Sequence, residues 1–286
     1  MFDSPDTLQD ICVSYVAKNV NKIFKKIKDE CGNITKYEFE NSYACFPLVL
    51  SEQLFTALDK NGLTDELCTI FDPSVTRLQR VYIRDASNIT TKGLRILRSH
   101  KITELAVIGL SSITVNDLIG CLGDWTLEHL RLLNVSFSTF LSTERVRVVI
   151  ALSKLRNLRC LDVSFTEFNS QALEIVAEDL PLLESLNISV TMVTDITPLK
   201  KCKDRLKFLD MYNLKIFPSS KYLSILSELI NLKHLDISDE RDELHGPEID
   251  SAISIAFSDF FSNPSCLPEL TSLDISGKRI DSESIE

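Results

Sequence analysis

Glycine is scarce in this sequence, and the catalytic motifs that depend on it are missing. Only 8 of the 286 residues are glycine, and they form neither a Gly-rich phosphate loop nor a Gly-x-Ser-x-Gly nucleophile turn. None of the four histidines, His100, His129, His234 and His245, belongs to a cysteine or acidic motif with metal-ligand spacing. We therefore expect a protein that is not an enzyme and that uses no cofactor and no metal.

Long apolar runs and basic charge are also lacking. No stretch of about eighteen apolar residues occurs, so no membrane span is expected. The N-terminus carries Asp3, Asp6 and Asp10 and has no basic region before an apolar core, which does not fit a signal peptide. The net charge of −10 argues against nucleic-acid binding, which needs a basic surface. We expect neither a membrane nor a nucleic acid as a partner.

The eight cysteines include no Cys-x-x-Cys pair. Several of them lie inside apolar patterns, where a free cysteine behaves as a small hydrophobic residue. This usage favours a reduced, intracellular protein in the cytoplasm, the nucleus or both, although the even number would also permit disulfides.

An amphipathic pattern opens the chain, within an overall apolar fraction of 44% that supports a packed core. The residues at positions 4–6 have the types of a helix start, and apolar residues then recur at helical spacing, which predicts a helix over residues 1–30. Leu8, Cys12 and Val16 follow at four-residue intervals and so share one face of that helix.

One basic run interrupts the acidic composition. It comprises Lys18, Lys22, Lys25, Lys26 and Lys28. In a continuous helix most of these lysines fall on the polar side, so a solvated face is the favoured interpretation. Contact with an acidic partner is the alternative.

A second helical segment starts near Pro47, a residue type that suits the first turn of a helix. Leu50 and Leu54 lie on one side of it, and the pattern continues to about Lys60. Each of the two N-terminal segments, taken alone, is also compatible with an ordinary core helix.

From residue 73 onward the chain repeats an apolar-x-x-apolar-x-apolar motif. It occurs at Leu78/Val81/Ile83, Ile102/Leu105/Val107, Leu127/Leu130/Leu132, Leu158/Leu161/Val163, Leu183/Leu186/Ile188, Leu206/Leu209/Met211, Leu232/Leu235/Ile237 and Leu270/Leu273/Ile275. This is the leucine-rich repeat signature, with helical patterns between short parallel strands. It predicts an α/β fold: a leucine-rich repeat solenoid of about eight repeats over 73–286, with an N-terminal helical cap and docking region over 1–72.

The middle residue of each predicted strand faces outward, on the inner surface of the repeats. These residues are Tyr82, Ala106, Arg131, Asp162, Asn187, Asp210, Asp236 and Asp274. The later ones are mostly acidic, and the possible substrate contacts are Arg131, Asp162, Asn187, Asp210, Asp236 and Asp274. However, Asp in such strings also satisfies neighbouring backbone donors. Two long inserts, 134–144 and 239–250, fall between repeats and predict surface loops.

The two N-terminal segments resemble known docking motifs. The first is similar to the elongin-binding box of cullin-ligase substrate receptors, at Thr7, Leu8, Cys12 and Val16. The second is similar to the cullin-2 box, at Phe46, Pro47, Leu50 and Leu54. Repeat strings such as CKDRLKFLDM at 202–211 and LKHLDISD at 232–239 extend the likeness. Across nearly all of its length, the chain resembles the Zyg-eleven/Zer-one family of cullin-2 substrate receptors.

This resemblance implies a function without chemistry of its own. The first box would bind elongin B/C, the second would contact cullin-2, and the repeats would present an unidentified protein substrate for ubiquitin transfer. Family members also carry a C-terminal armadillo-like domain, and the sequence contains no counterpart up to Glu286. The alternative, from a different class, is a non-ligase repeat scaffold whose N-terminal helices only cap the first repeat and whose inner face binds a protein.

Overall fold

The computed structural model describes residues 7–40, 45–140, 151–214, 220–240, 257, 260, 263 and 266–277. The chain forms two compact units, Met1–Ser142 and Thr143–Glu286. The boundary predicted between residues 72 and 73 falls inside the first unit. Within the described ranges, no helix is both long enough and apolar enough to cross a bilayer.

The first unit opens with helices and a hairpin. Its elements are α1 (Leu8–Lys18), α2 (Val20–Ile23), β1 (Lys25–Lys28), β2 (Ile34–Glu38), α3 (Leu48–Asp59), α4 (Asp65–Cys68) and a 3-10 helix over Thr69–Phe71. The prediction of one continuous helix over residues 1–30 is therefore wrong, because the helix is interrupted at Asn19 and replaced by a hairpin from Lys25 onward; residues 1–6 lie outside the described ones. The helical segment predicted from Pro47 to about Lys60 is confirmed by α3.

The antiparallel pair β1–β2 replaces the last turns of the predicted helix. Its turn is closed by Asp29, whose carboxylate accepts the N–H groups of Cys31 at 3.0 Å and Asn33 at 2.8 Å. Gly32 has φ +86° within this turn, a conformation that favours glycine. The apolar spacing survives because Val20 and Phe24 are both buried, one on α2 and one at its end.

Three parallel strands complete the first unit: β3 (Arg80–Ile83), β4 (Glu104–Val107) and β5 (Leu132–Asn134). Between them lie α5 (Thr91–Leu94), a 3-10 helix (Arg95–Ser99), α6 (Val115–Gly120) and α7 (Asp124–His129). Val81, Leu105 and Leu133 are in register and fully buried. Alternate residues of each strand thus form the core, as the repeat motif predicts.

The third repeat lies three residues later than predicted. Leu127 belongs to α7, and the buried triplet is Leu130, Leu133 and Val135 rather than Leu127, Leu130 and Leu132. Both triplets satisfy the same motif, but only the later one leaves room for α7. One site prediction is corrected as a result. Arg131 precedes β5 and is not its middle outward residue, a place that Asn134 takes opposite Ala106. His129 ends α7 and stacks on Trp125, with ring centroids 4.1 Å apart.

The second unit repeats the same plan with five parallel strands. They are β6 (Cys160–Asp162), β7 (Ser185–Asn187), β8 (Phe208–Asp210), β9 (His234–Asp236) and β10 (Ser272–Asp274), accompanied by α8 (Ser170–Asp179), a 3-10 helix (Thr197–Cys202) and α9 (Ser220–Ser227). Both units are therefore mixed α/β structures of leucine-rich repeat type. Residues 141–144 of the first predicted insert and residues 241–250 of the second lie outside the described residues.

The backbone leaves most strands through one unusual conformation. The residue four positions after the central leucine of the strand has a φ between +50° and +80°, at Gly109 and Phe137 in the first unit and at Phe165, Val190, Asn213 and Gly277 in the second. Such values are rare for residues with a side chain, and rarest for a β-branched one such as Val190. The stacking of neighbouring repeats therefore overrides local preference at these positions.

Candidate functional site: an apolar groove between two helices

Helix α1 has a well-defined start. The side chain of Thr7 accepts the N–H of Asp10 at 3.2 Å, and the Asp10 carboxylate accepts the N–H of Thr7 at 3.1 Å, which completes a capping box. The Thr7 hydroxyl also donates to the Asp10 carboxylate, and this bond together with that from the Thr7 N–H lowers the pKa of Asp10. The cap predicted at positions 4–6 lies outside the described residues, and Thr7 takes that place.

The predicted elongin-box residues of α1 are not buried against the repeats. Leu8 is 78% exposed, Cys12 is exposed, and Val16 is half-buried. An exposed leucine and cysteine one turn apart form an apolar surface that the chain itself leaves uncovered. This arrangement is the one that distinguishes a docking helix from a purely capping helix.

The second predicted segment lies beside the first. Pro47 precedes α3 in an extended conformation, with φ −56° and ψ 153°, and is exposed. Phe46 and Leu50 are half-buried, whereas Leu54 is only 2% exposed and lies in the core side of the helix. Of the four predicted cullin-box residues, Leu54 is therefore the one whose side chain is buried in the core and not presented to solvent.

Together α1 and α3 form an open apolar groove of about 530 Å³. Its lining residues are Leu8, Gln9, Cys12, Val13, Val16, Phe46, Leu50 and Leu54. A hydrogen bond of 2.6 Å from Gln9 Nε2 to Gln53 Oε1 joins the two helices. Six of the eight predicted docking residues thus meet at one place, and we call this surface the docking groove.

The other face of α3 is fixed to the first strand of the repeats. The fully buried Ser51 hydroxyl accepts the N–H of Arg77 at 3.1 Å, and the Glu52 carboxylate accepts the N–H groups of Gln79 and Arg80 at 3.2 and 2.8 Å. Asp59 accepts the N–H of Arg84 at 3.2 Å, while its burial raises the pKa of its carboxyl group. Helix α3 therefore covers the outer edge of β3 and forms a wall of the docking groove at the same time.

Aromatic packing holds the entrance to α3. The ring of Phe39 lies between those of Phe24 and Phe46, with centroid distances of 4.7 and 4.8 Å. The N–H of Phe46 donates to the carbonyl of Val75 at 2.7 Å. Phe46 is thus positioned both by the hairpin and by the segment leading into the first repeat.

Sequence reasoning missed three exposed apolar side chains next to the docking groove: Ile11, Tyr15 and Val49. Ile11 and Tyr15 do fit the helical spacing of apolar residues. With one continuous helix over residues 1–30, however, other parts of the chain could have packed on them, so the sequence did not predict that they are exposed. The hairpin after α2 removes that possibility for the residues that the structure describes.

The predicted inner-face row is a second candidate, and most of it is internally satisfied. Asp162, Asn187, Asp236 and Asp274 are in register, and each accepts the N–H of the serine two residues further on, at 2.8–3.0 Å. Asp210 differs because its Oδ1 lies 2.8 Å from His234 Nε2, and burial raises its pKa. The hydrogen bonding to backbone donors that the sequence predicted as one alternative is therefore confirmed for these four residues. Their contact with a substrate stays a prediction.

Comparison with known proteins gives distant relatives. No protein-family model matches the chain. Two curated proteins, the zer-1 homologs of Homo sapiens and Pongo abelii, are each 24% identical to it. The alignment is 309 residues long and covers 97% of this chain and 38% of the relative. The chain thus spans about two-fifths of the length of the curated relatives that it matches.

Solved structures with a similar fold include a chain from the yeast complex of Rad7 and Elc1. It has a TM-score of 0.56 and 19% identity, and the match covers 98% of this chain and 70% of that one. Internalin C2 from Listeria monocytogenes aligns with a TM-score of 0.45, 17% identity and coverage of 96% and 100%. The first of these likenesses supports the fold of the chain.

Proposed function

We propose that this chain is the substrate-recognition subunit of a cullin-2–elongin B/C ubiquitin ligase. Thr7, Leu8, Cys12 and Val16 form the elongin-binding element, and Phe46, Pro47, Leu50 and Leu54 form the cullin-binding element. The region from residue 73 onward acts as a solenoid of about eight repeats that presents a protein substrate. In this proposal the chain works inside cells and performs no catalysis itself.

The observation that carries the proposal is the docking groove. Two sequence segments about forty residues apart, each compatible with a core helix when taken alone, lie side by side and leave Leu8 and Cys12 open to solvent. Exposing a leucine costs about 1.5–3 kcal/mol relative to burying it, so a partner that covers Leu8 regains that free energy. Groups of such residues usually mark protein interfaces.

The comparisons support the proposal without deciding it. The zer-1 homologs match over nearly the whole chain, although the chain spans only 38% of their length. Rad7, a protein with a similar fold, was solved together with a partner, Elc1. The sequence resemblance to cullin-2 substrate receptors therefore agrees with the relatives found and with the placement of the two boxes.

The first test is binding of purified elongin B/C to the purified chain. Replacing Leu8 with Asp puts a charge into the docking groove, and we expect a loss of affinity of about a hundredfold or more. The matched control is Met192→Asp, which puts the same charge at an exposed apolar residue of the second unit. Unchanged binding by the Leu8 variant, or equal loss by both variants, would contradict the proposal.

A second arm tests the cullin element separately. The preformed complex with elongin B/C is mixed with the N-terminal domain of cullin-2, and capture is compared between the parent chain and Pro47→Asp. Because Pro47 is exposed and does not line the docking groove, we expect cullin-2 capture to fall while elongin binding is kept. Loss of neither partner would leave the elongin element standing and remove the cullin assignment.

The rival scaffold function is favoured by one observation, the bonding of α3 to the edge of β3. Ser51, Glu52 and Asp59 do what a terminal repeat cap must do. However, the capping residues lie on one face of α3 and the docking groove on another, so the two roles are compatible. Failure of elongin B/C to bind at micromolar concentration would leave the scaffold function as the remaining proposal.

A further inference from the structure

The five lysines of the basic run are all exposed and lie on three consecutive elements of the first unit. Lys18 ends α1, Lys22 lies on α2, and Lys25, Lys26 and Lys28 lie on β1. Residues 18–28 contain no acidic side chain. We call this surface, with β1 at its centre, the lysine edge.

These lysines make no ion pair within the part of the chain that the structure describes. Many other lysines do, for example Lys200 with Glu228 at 2.6 Å. The acidic residue opposite Lys25 is Glu38, but its carboxylate is bonded to Lys36 at 2.8 Å. The lysine edge is therefore a local excess of positive charge on a chain whose net charge is −10.

The backbone of the lysine edge is also open. On one side β1 pairs with β2, and the far side of β2 is held by the N–H of Tyr37, which donates to Thr69 Oγ1 at 2.9 Å. No described residue forms a backbone hydrogen bond with the outer side of β1. The irregularity in the pair places the extra residue, Thr35, on β2, so β1 keeps the regular alternation of a strand.

Charge decides which strand could add to such an edge. Lysines along an edge repel a second copy of the same strand, and they lose hydration against an apolar one, which is why they protect edges from aggregation. An acidic strand would avoid the charge repulsion and would compensate for the lost hydration, because opposite charges on adjacent strands attract. We propose that β1 binds an extended acidic segment of a partner protein by strand addition, with carboxylates at every second position facing Lys26 and Lys28.

The test uses a defined probe and the full chain. The probe is the fluorescein-labelled peptide Glu-Val-Glu-Val-Glu-Val, blocked at its C-terminus, and its binding is followed by fluorescence anisotropy. The test variant is Lys26→Glu with Lys28→Glu. The control is Lys154→Glu with Lys203→Glu, which changes the net charge equally at two exposed lysines of the second unit. We expect the test variant to bind about tenfold more weakly and the control to bind as the parent chain does.

A second probe separates strand addition from simple charge attraction. The same peptide with all internal amide nitrogens methylated keeps its charges but cannot donate backbone hydrogen bonds. We expect its binding to be lost. The proposal is overturned if the methylated peptide binds as well as the parent peptide, if test and control variants weaken equally, or if a short single-stranded RNA binds more tightly than the peptide. None of these residues lines the docking groove, so the outcome is independent of elongin binding.

Discussion

The contact between Glu52 and β3 gives the sharpest prediction about how the N-terminal helices are attached. Oε1 of Glu52 accepts both backbone N–H groups, of Gln79 and Arg80, whereas Oε2 accepts only from the Arg80 guanidinium, at 3.1–3.3 Å. The Glu52 side chain is 11% exposed and that of Arg80 is 57% exposed. The two sets of bonds can therefore be removed one at a time.

The expected costs follow from these environments. Glu52→Ala removes the two backbone hydrogen bonds to a charged acceptor, each contributing about 1.5 kcal/mol, together with the ion pair to Arg80, so the free energy of unfolding falls by at least about 3 kcal/mol. Arg80→Ala removes only a largely solvated ion pair, so we expect a much smaller cost than for Glu52→Ala. Glu52→Gln keeps one carbonyl oxygen at the Oε1 position, and we expect a cost of less than about 1 kcal/mol.

The assay is urea unfolding followed by tryptophan fluorescence. The chain has one tryptophan, Trp125, and it lies on α7 in the first unit, so its signal reports the unit that contains the contact. Hydrogen exchange at the Arg80 amide provides a local readout of the same bond. Equal costs for Glu52→Ala and Arg80→Ala would refute the argument, because they would make the ion pair, not the backbone cap, the main contribution.

Two further predictions concern packing and pH in the same unit. A Cβ at Gly93 would lie 2.4 Å from Asp65 Oδ1 and 3.0 Å from its Cα, so Gly93→Ala should cost about 1–3 kcal/mol in thermal unfolding, whereas Gly120→Ala, with no atom within 4 Å, should be neutral or stabilising. His100 is buried between the Phe71 carbonyl and the Leu78 N–H, and burial lowers its pKa. The unfolded chain then binds more protons, so stability is complete above about pH 6.5 and falls as the pH is lowered through that value. His100→Gln should flatten this dependence between pH 7 and pH 5, and an unchanged slope would assign it to other groups.

The docking groove was predictable in its parts. A four-residue spacing places Leu8 and Cys12 on one face of a helix whatever the rest of the chain does, and the same holds for Leu50 and Leu54. Their meeting in one groove was not predictable from spacing, because it depends on the packing of α1 against α3. The bond between Gln9 and Gln53 has no signal in the sequence.

The hairpin shows where periodicity fails. Val20, Phe24 and Ile27 continue the helical spacing, yet only the first two are buried, and β1 begins at Lys25. What favours the strand is a contact distant in sequence, the hydrogen bonding of Tyr37 with Thr69. A local pattern cannot report such a contact.

The third repeat shows a register that the sequence could have resolved. The string LEHLRLLNV fits the motif at Leu127 and again at Leu130. The later register places Asn134 two residues before Ser136, the same arrangement as Asp162 with Ser164. The Asn/Asp-x-Ser pair is therefore a better marker of a repeat than the leucines, since its hydrogen bond occurs at one place in β5, β6, β7, β9 and β10.

Helix α3 lines the docking groove and also covers the edge of β3, so the binding of a partner is linked to the stability of the protein. Any protein that occupies the groove also clamps the helix that seals the first strand, so its binding energy adds to folding stability. At a free concentration one hundred times its dissociation constant, that gain is about 2.7 kcal/mol. An orphan copy lacks this support and opens more often to proteases. In the proposed complex, copies without a bound partner would therefore be degraded faster. The amount of this protein would then follow the amount of its binding partner.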